Sequence, residues 1–110
     1  MDFDLRDKVA IVTGSSRGLG LASARALAAE GCCVTLCART DKTLQEAARH
    51  VAKPAGGTER VLALVADVSR ADDVQMIVDR TAGTFGGIDI LVNNVGTARG
   101  VNLMDTSDEE

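Results

Sequence analysis

The clearest chemistry in this chain stands near its start, in the run Thr13-Gly14-Ser15-Ser16-Arg17-Gly18-Leu19-Gly20. Gly14 permits a sharp exit from a strand, Gly18 lets backbone N–H groups approach an anion without Cβ interference, and Gly20 lets a helix start close to a sheet. The partial positive charge of that helix N-terminus then favours a phosphate. The spacing G-x-x-x-G-x-G differs from the G-x-G-x-x-G fingerprint and lacks the G-K-[ST] ending of a nucleoside-triphosphate loop.

A second feature lies at Cys37-Ala38-Arg39, where another apolar run ends. An acid at the end of a second strand accepts from a ribose 2′-hydroxyl, whereas a cation there suits a 2′-phosphate. Arg39 supplies the cation, and Arg17 in the glycine loop points at the same region, so that paired guanidinium donors can meet phosphate oxygens. Asp41 argues the other way, because it would reach a ribose if the strand were one or two residues longer.

These residues need a frame. Val9 to Thr13 is a short apolar run, and an alanine-rich stretch from Gly18 to Glu30 follows it before Gly31, which predicts strand, turn and helix. Val34 to Ala38 predicts a second strand, and Leu44, Ala47, Ala48 and Val51 fall on one helical face, closed by Pro54, Gly56 and Gly57. Val61 to Ala66 is an uninterrupted apolar hexamer, expected of a central strand buried on both faces. Ser69 is the expected cap of a third helix, with Asp72 as its reciprocal acid and Val74, Ile77, Val78 and Phe85 as its core-facing stripe. Ile88 to Val92 then predicts a fourth strand. The order β-α-β-α-β-α-β, with helices as crossovers, implies an α/β fold with a doubly wound, Rossmann-type parallel sheet. Residues 1–110 are expected to form one partial dinucleotide-binding domain. The fourth strand would lie at a sheet edge, and Ser107 followed by three acids announces a further helix with no residues to form it, so the sequence reads as cut short after strand four.

Thr13 to Gly20 resembles the TGxxxGxG motif of the short-chain dehydrogenase/reductases, and Asn93-Asn94-Val95-Gly96 resembles their NNAG motif after strand four. Asp67-Val68 looks like the family's adenine-contacting pair, although an aspartate at a strand end is also a common helix cap. The likeness covers the whole chain, corresponds to the first half of a family subunit, and is nearest to bacterial 3-oxoacyl-[acyl-carrier-protein] reductase-like members. It implies a nicotinamide dinucleotide bound through Gly14, Ser15, Ser16, Arg17, Gly18, Leu19 and Gly20, with Arg39, Asp67, Val68, Asn94, Val95 and Gly96 around the adenosine. Val95 stands where the family usually has alanine, and Asn93 is expected to brace the sheet. Arg39 and Arg17 favour NADP(H) over NAD(H).

The family's catalytic serine, tyrosine and lysine have no counterpart here, and the chain contains no tyrosine. No catalytic residue is therefore assigned, since the acid/base transfer that tyrosine provides has no substitute. His50 is the only histidine and falls on the second helix, where a solvent-facing place is expected. Two readings compete with a reductase portion: an NADP(H)-binding module without turnover, and an interaction remnant pairing through its fourth strand.

Composition narrows the partners. Of the 110 residues 45% are apolar and 25% charged, and the net charge is −4, with an isoelectric point near 4.9. Scattered basic residues in an acidic chain argue against nucleic acid. No apolar run suits a membrane helix, and the acidic start suits no signal peptide, so a cytoplasmic location is expected. Cys32, Cys33 and Cys37 fit neither a disulfide framework nor a zinc pattern and read as reduced thiols in a buried strand. Family subunits are usually homo-oligomeric, but the state of this chain does not follow from that.

Overall fold

The computed structural model describes residues 4–94. Four parallel strands form one sheet in the order β3-β2-β1-β4: β1 Val9–Thr13, β2 Cys33–Ala38, β3 Val61–Val65 and β4 Ile90–Val92. Three helices connect them, α1 Gly18–Ala29, α2 Asp41–Ala55 and α3 Ala71–Phe85, with a short 3₁₀ turn at Thr58–Arg60 before β3. The expected β-α-β-α-β-α-β order and parallel Rossmann-type sheet are present.

Strand β1 is buried along its whole length, because β2 and β4 flank it. Alternation divides its side chains. Val12, with Val34 and Leu36 of β2, faces the layer of α1 and α2, while Ile11 and Cys37 face the α3 side with Ile77. The fully buried residues of helix α1 are all small, Gly20, Ala24 and Ala28, about one turn apart, so its axis runs close to the sheet, while Leu21 and Leu27 pack partly buried against the same core. Helix α2 buries Leu44, Ala47, Val51 and Ala55 on the expected face and half-buries Ala48. Pro54 lies inside its last turn, and Gly56 ends it in the left-handed region at φ 93°. Leu36, Leu44, Val12, Val34 and Val51 are fully buried, each stabilising the fold by about 1.5–3 kcal/mol.

Four expectations are corrected, the length of β4 among them. The apolar hexamer does not make a central strand: β3 ends at Val65, sits at a sheet edge and buries only Leu64 among its five residues. Strand order depends on where the crossovers land and not on apolar content, and at the edge most of the run stays only partly covered, with Val65 48% exposed. Helix α3 is capped at Arg70 rather than Ser69, whose hydroxyl instead donates to Asp67 Oδ1 at 2.7 Å. Its expected stripe is largely solvent-facing, since Val74 is 42% and Val78 37% exposed, and only Ile77 and Thr81 are buried. A lone helix spanning from β3 to β4 has few inward positions to fill.

Strand β4 is shorter than expected. Before it, Asp89 N–H donates to Val9 O at 2.8 Å and its Oδ2 accepts from Val9 N–H at 2.9 Å, so the strand enters the sheet through a paired contact with β1. At the same amino-terminal end of the sheet, Arg60 pairs with Asp7 at 2.9 Å, which raises the Arg60 pKa and ties the N-terminal turn to the start of β3. The signature around Ser107 lies outside the described residues.

Candidate functional site

Crossovers from β1 to β2 to β3 advance in one direction, and α3 then returns the chain to the far side of β1 as β4. The chain therefore diverges at the carboxyl ends of β1 and β4, the point at which ligands of open parallel sheets bind. A cleft of about 570 Å³ opens there, lined by the ends of all four strands. Gly14 enters it from β1, Cys37 to Thr40 from β2, Ala66 to Ser69 from β3 and Asn94 from β4.

The glycine loop forms the floor. Gly14 and Gly18 adopt φ of 59° and 64°, a left-handed conformation that suits glycine and turns the chain from β1 into α1. No side chain caps the N-terminus of α1, and its N-cap, Arg17, is extended. The first-turn N–H groups thus keep their anion-binding character. Ser16 and Arg17 line the cleft, whereas Ser15, Gly18, Leu19 and Gly20 do not. Leu19 is 63% exposed on the helix surface, and Gly20 is buried beneath the turn. Ser15 is fully buried and bonded to Cys37, whose N–H it accepts at 2.9 Å.

Arg39 is exposed and lines the cleft with Arg17. The single ion pair among the described residues joins Arg60 and Asp7, so neither cleft guanidinium group forms an ion pair with a described carboxylate, although the charge of Arg39 acts on Asp67. Asp41 lies apart from them. It is the first residue of α2, is absent from the cleft lining, and its Oδ1 accepts from Gln45 Nε2 at 3.2 Å.

Asp67 stands beside the two arginines, at the end of β3, the strand adjacent to β2. Its Oδ1 accepts from both the N–H and the hydroxyl of Ser69, at 3.0 and 2.7 Å, and these bonds hold its pKa below the ordinary 3.8, helped by the charges of Arg39 and Arg70. Among the described residues no hydrogen bond is made to Oδ2, which can accept from an outside donor. Asp67 N–H donates to Asp73 Oδ2 at 2.7 Å, which fastens the loop to α3. Val68 lines the cleft while packing on the α3-side core.

The β1 and β4 ends are joined through Thr13. Its hydroxyl lies 3.0 Å from Asn93 Oδ1, to which it can donate, and accepts from Asn94 N–H at 2.9 Å. Asn93 therefore braces the sheet, and Asn94 lines the cleft. Val95 and Gly96 lie outside the described residues. Sequence reasoning missed Thr40, Thr43 and Ser69, which also line the cleft. Thr40 directly follows Arg39 and could have been found by that adjacency.

The remaining titratable groups do not converge here. His50 is exposed on α2 and apart from the cleft lining, and no group of three His, Cys, Asp or Glu suited to a metal exists among the described residues. All three cysteines are free, with Cys32 and Cys37 buried and Cys33 partly so. No helix of the described residues is long and apolar enough to cross a membrane.

Comparison with known proteins gives a consistent result. Residues 8–110 match a family model described as short chain dehydrogenase. The chain is 42% identical over 93 residues to 11-beta-hydroxysteroid dehydrogenase A of Sesamum indicum, covering 84% of this chain and 26% of that protein. The structure superposes on L-sorbose reductase from Gluconobacter frateurii, solved with NADPH and L-sorbose, with a TM-score of 0.83 and 42% identity over 98% of this chain and 40% of that one. It also superposes on an NAD+-bound xylitol dehydrogenase, with a TM-score of 0.78 and 35% identity over 84% of this chain and 34% of that one. The chain spans between about a quarter and two fifths of these proteins' lengths.

Proposed function

This chain belongs to the short-chain dehydrogenase family, and from that premise we propose that it is the NADP(H)-binding portion of an oxidoreductase acting on a carbonyl or alcohol. One observation carries the cofactor choice: Arg17 and Arg39 line one cleft without ion pairs, next to Ala38 at the end of β2, while Asp41 is turned into α2. Structural relatives hold NADPH in one case and NAD+ in another, so the fold does not choose between them. The residues at the end of β2 support the NADP(H) reading.

The cleft residues fit a dinucleotide. Gly14 and the uncapped start of α1 receive the pyrophosphate, Arg39 and Arg17 the 2′-phosphate, and the open Oδ2 of Asp67 the adenine amino group. Asn94 borders the adenosine ribose. When bound, the nicotinamide supplies or accepts the hydride. With no tyrosine in the chain, the share of these residues is to hold and orient that group. A cytoplasmic location accords with the acidic composition and the free thiols.

Calorimetric titration of the full polypeptide with NADPH and NADH tests this reading. NADPH is expected to bind more tightly, and Arg39→Ala to weaken NADPH by about tenfold or more, the worth of a charge-assisted contact, while sparing NADH. Equal affinities, or a preference for NADH, would refute the assignment.

A further inference from the structure

Ser15 and Cys37 form a closed bracket deep beside the cleft. The Ser15 hydroxyl accepts from Cys37 N–H at 2.9 Å and donates to Cys37 O at 3.3 Å, and Ser15 N–H reaches the same carbonyl at 3.2 Å. Both residues are buried, with Ser15 fully so, and they lie 22 positions apart in the chain. Each is two residues from a cleft arginine: Ser15 precedes Arg17, and Cys37 precedes Arg39. These three bonds continue the β1–β2 ladder, which ends at the Thr13 and Cys37 pair, into the two segments that carry the guanidinium groups.

Building on the NADP(H) reading, we infer that Ser15 is a positioning residue whose hydroxyl, by clasping Cys37, sets the distance between Arg17 and Arg39 and so the preference for a 2′-phosphorylated nucleotide. A buried hydroxyl whose donor and one acceptor site are both used by the backbone of a single residue is held in one orientation, and Ser15 does not line the cleft. Its removal strands the Cys37 N–H inside the protein and lets the glycine loop shift against the end of β2. A pair of flexible arginines gains from such a fixed base, because a two-point grip on one phosphate fails when its anchors drift.

The test is the ratio of NADPH to NADH affinity in the full polypeptide, measured by calorimetry for wild type, Ser15→Ala, Arg39→Ala and the double variant. Ser15→Ala is expected to lower that ratio about tenfold, in keeping with loss of a well-placed buried hydrogen bond. In the Arg39→Ala background the same substitution should leave the ratio unchanged, since the group it positions is gone. A purely structural role would weaken both nucleotides equally, and an unchanged ratio in Ser15→Ala overturns the inference. Should Ser15→Ala fail to fold, Ser15→Cys keeps the volume with weaker bonding, and its ratio must fall below wild type for the inference to stand. A wild type without NADPH preference refutes the cofactor reading itself and this inference with it, whereas a wild-type preference that survives loss of the hydroxyl refutes the inference alone.

Discussion

Gly20 packs against the backbone of Gly14 so closely that a Cβ built on it would lie 2.9 Å from the Gly14 carbonyl carbon and 3.1 Å from Ser15 Cα. This contact seats the first turn of α1 beneath the loop and is the reason position 20 accepts no side chain. The atoms in the way are backbone and cannot rotate aside.

Gly20→Ala is therefore expected to destabilise the fold by about 2 kcal/mol, in the upper range for single substitutions, despite the higher helix propensity of alanine. Gly18→Ala offers a contrast. Its Cβ would meet nothing within 4 Å, and only the φ of 64° opposes it, so a smaller loss of about 1 kcal/mol is expected. Urea denaturation of both variants checks the order, and equal losses would contradict the packing argument.

Asp67 leads to a pH effect of definite sign. Ser69 bonding holds its folded pKa below 3.8, so its contribution to stability is present above the unfolded value and is lost as pH falls through the lower folded one. Asp67 faces solvent, so the effect on stability is small, but the carboxylate stays ionised throughout the range in which it would accept from an adenine. NMR titration should place its midpoint below that of an ordinary aspartate, and Ser69→Ala should raise it toward 3.8. A midpoint unmoved by Ser69→Ala would show that the hydroxyl bond at 2.7 Å does not govern the group.

Cys37 shifts in the opposite direction. Burial pushes its thiol from 9.0 up to about 11. A raised folded pKa stabilises the protein below the unfolded pKa, and this advantage disappears as pH rises from 9 through about 11. The urea midpoint should accordingly decline across that interval, and more steeply in wild type than in Cys37→Ala. Identical slopes would exclude Cys37 as the source, leaving the more weakly raised Cys32.

Much of this architecture is legible in the residue types. The glycine loop is readable because positive φ at Gly14 and Gly18 and the close seat of Gly20 are backbone demands that few other residues meet. Arg39 is readable because it directly follows an apolar run. The edge position of β3 is not, because strand order depends on where crossovers land, and Val61 to Val65 looks the same at either place. The part played by Ser15 is equally hidden. A serine in a glycine loop has one spelling whether it faces a ligand or a strand 22 positions away. Ser69 and Asp72 spell a capping box, yet Asp67 captures the serine and the neighbouring Asp73, not Asp72, takes the loop N–H.

The attachment of α3 supplies the last expectation. The helix buries only Ile77 and Thr81, and the Thr81 hydroxyl lies 2.8 Å from that of Thr35 on β2, both fully enclosed. One hydroxyl donates to the other, so removing either leaves its partner unsatisfied among apolar neighbours. Thr81→Val should cost about 1–3 kcal/mol, the desolvation penalty of a stranded buried group, although valine keeps the shape of threonine. Thr35→Val should cost a similar amount. The double variant should recover most of the loss, because two apolar groups of matching shape strand no polar atom. A double variant as unstable as the sum of the singles would mean that each hydroxyl acts alone. Recovery would show that the pair serves to fix where α3 crosses β2, a placement on which the loop carrying Asp67 depends through Asp73 at 2.7 Å.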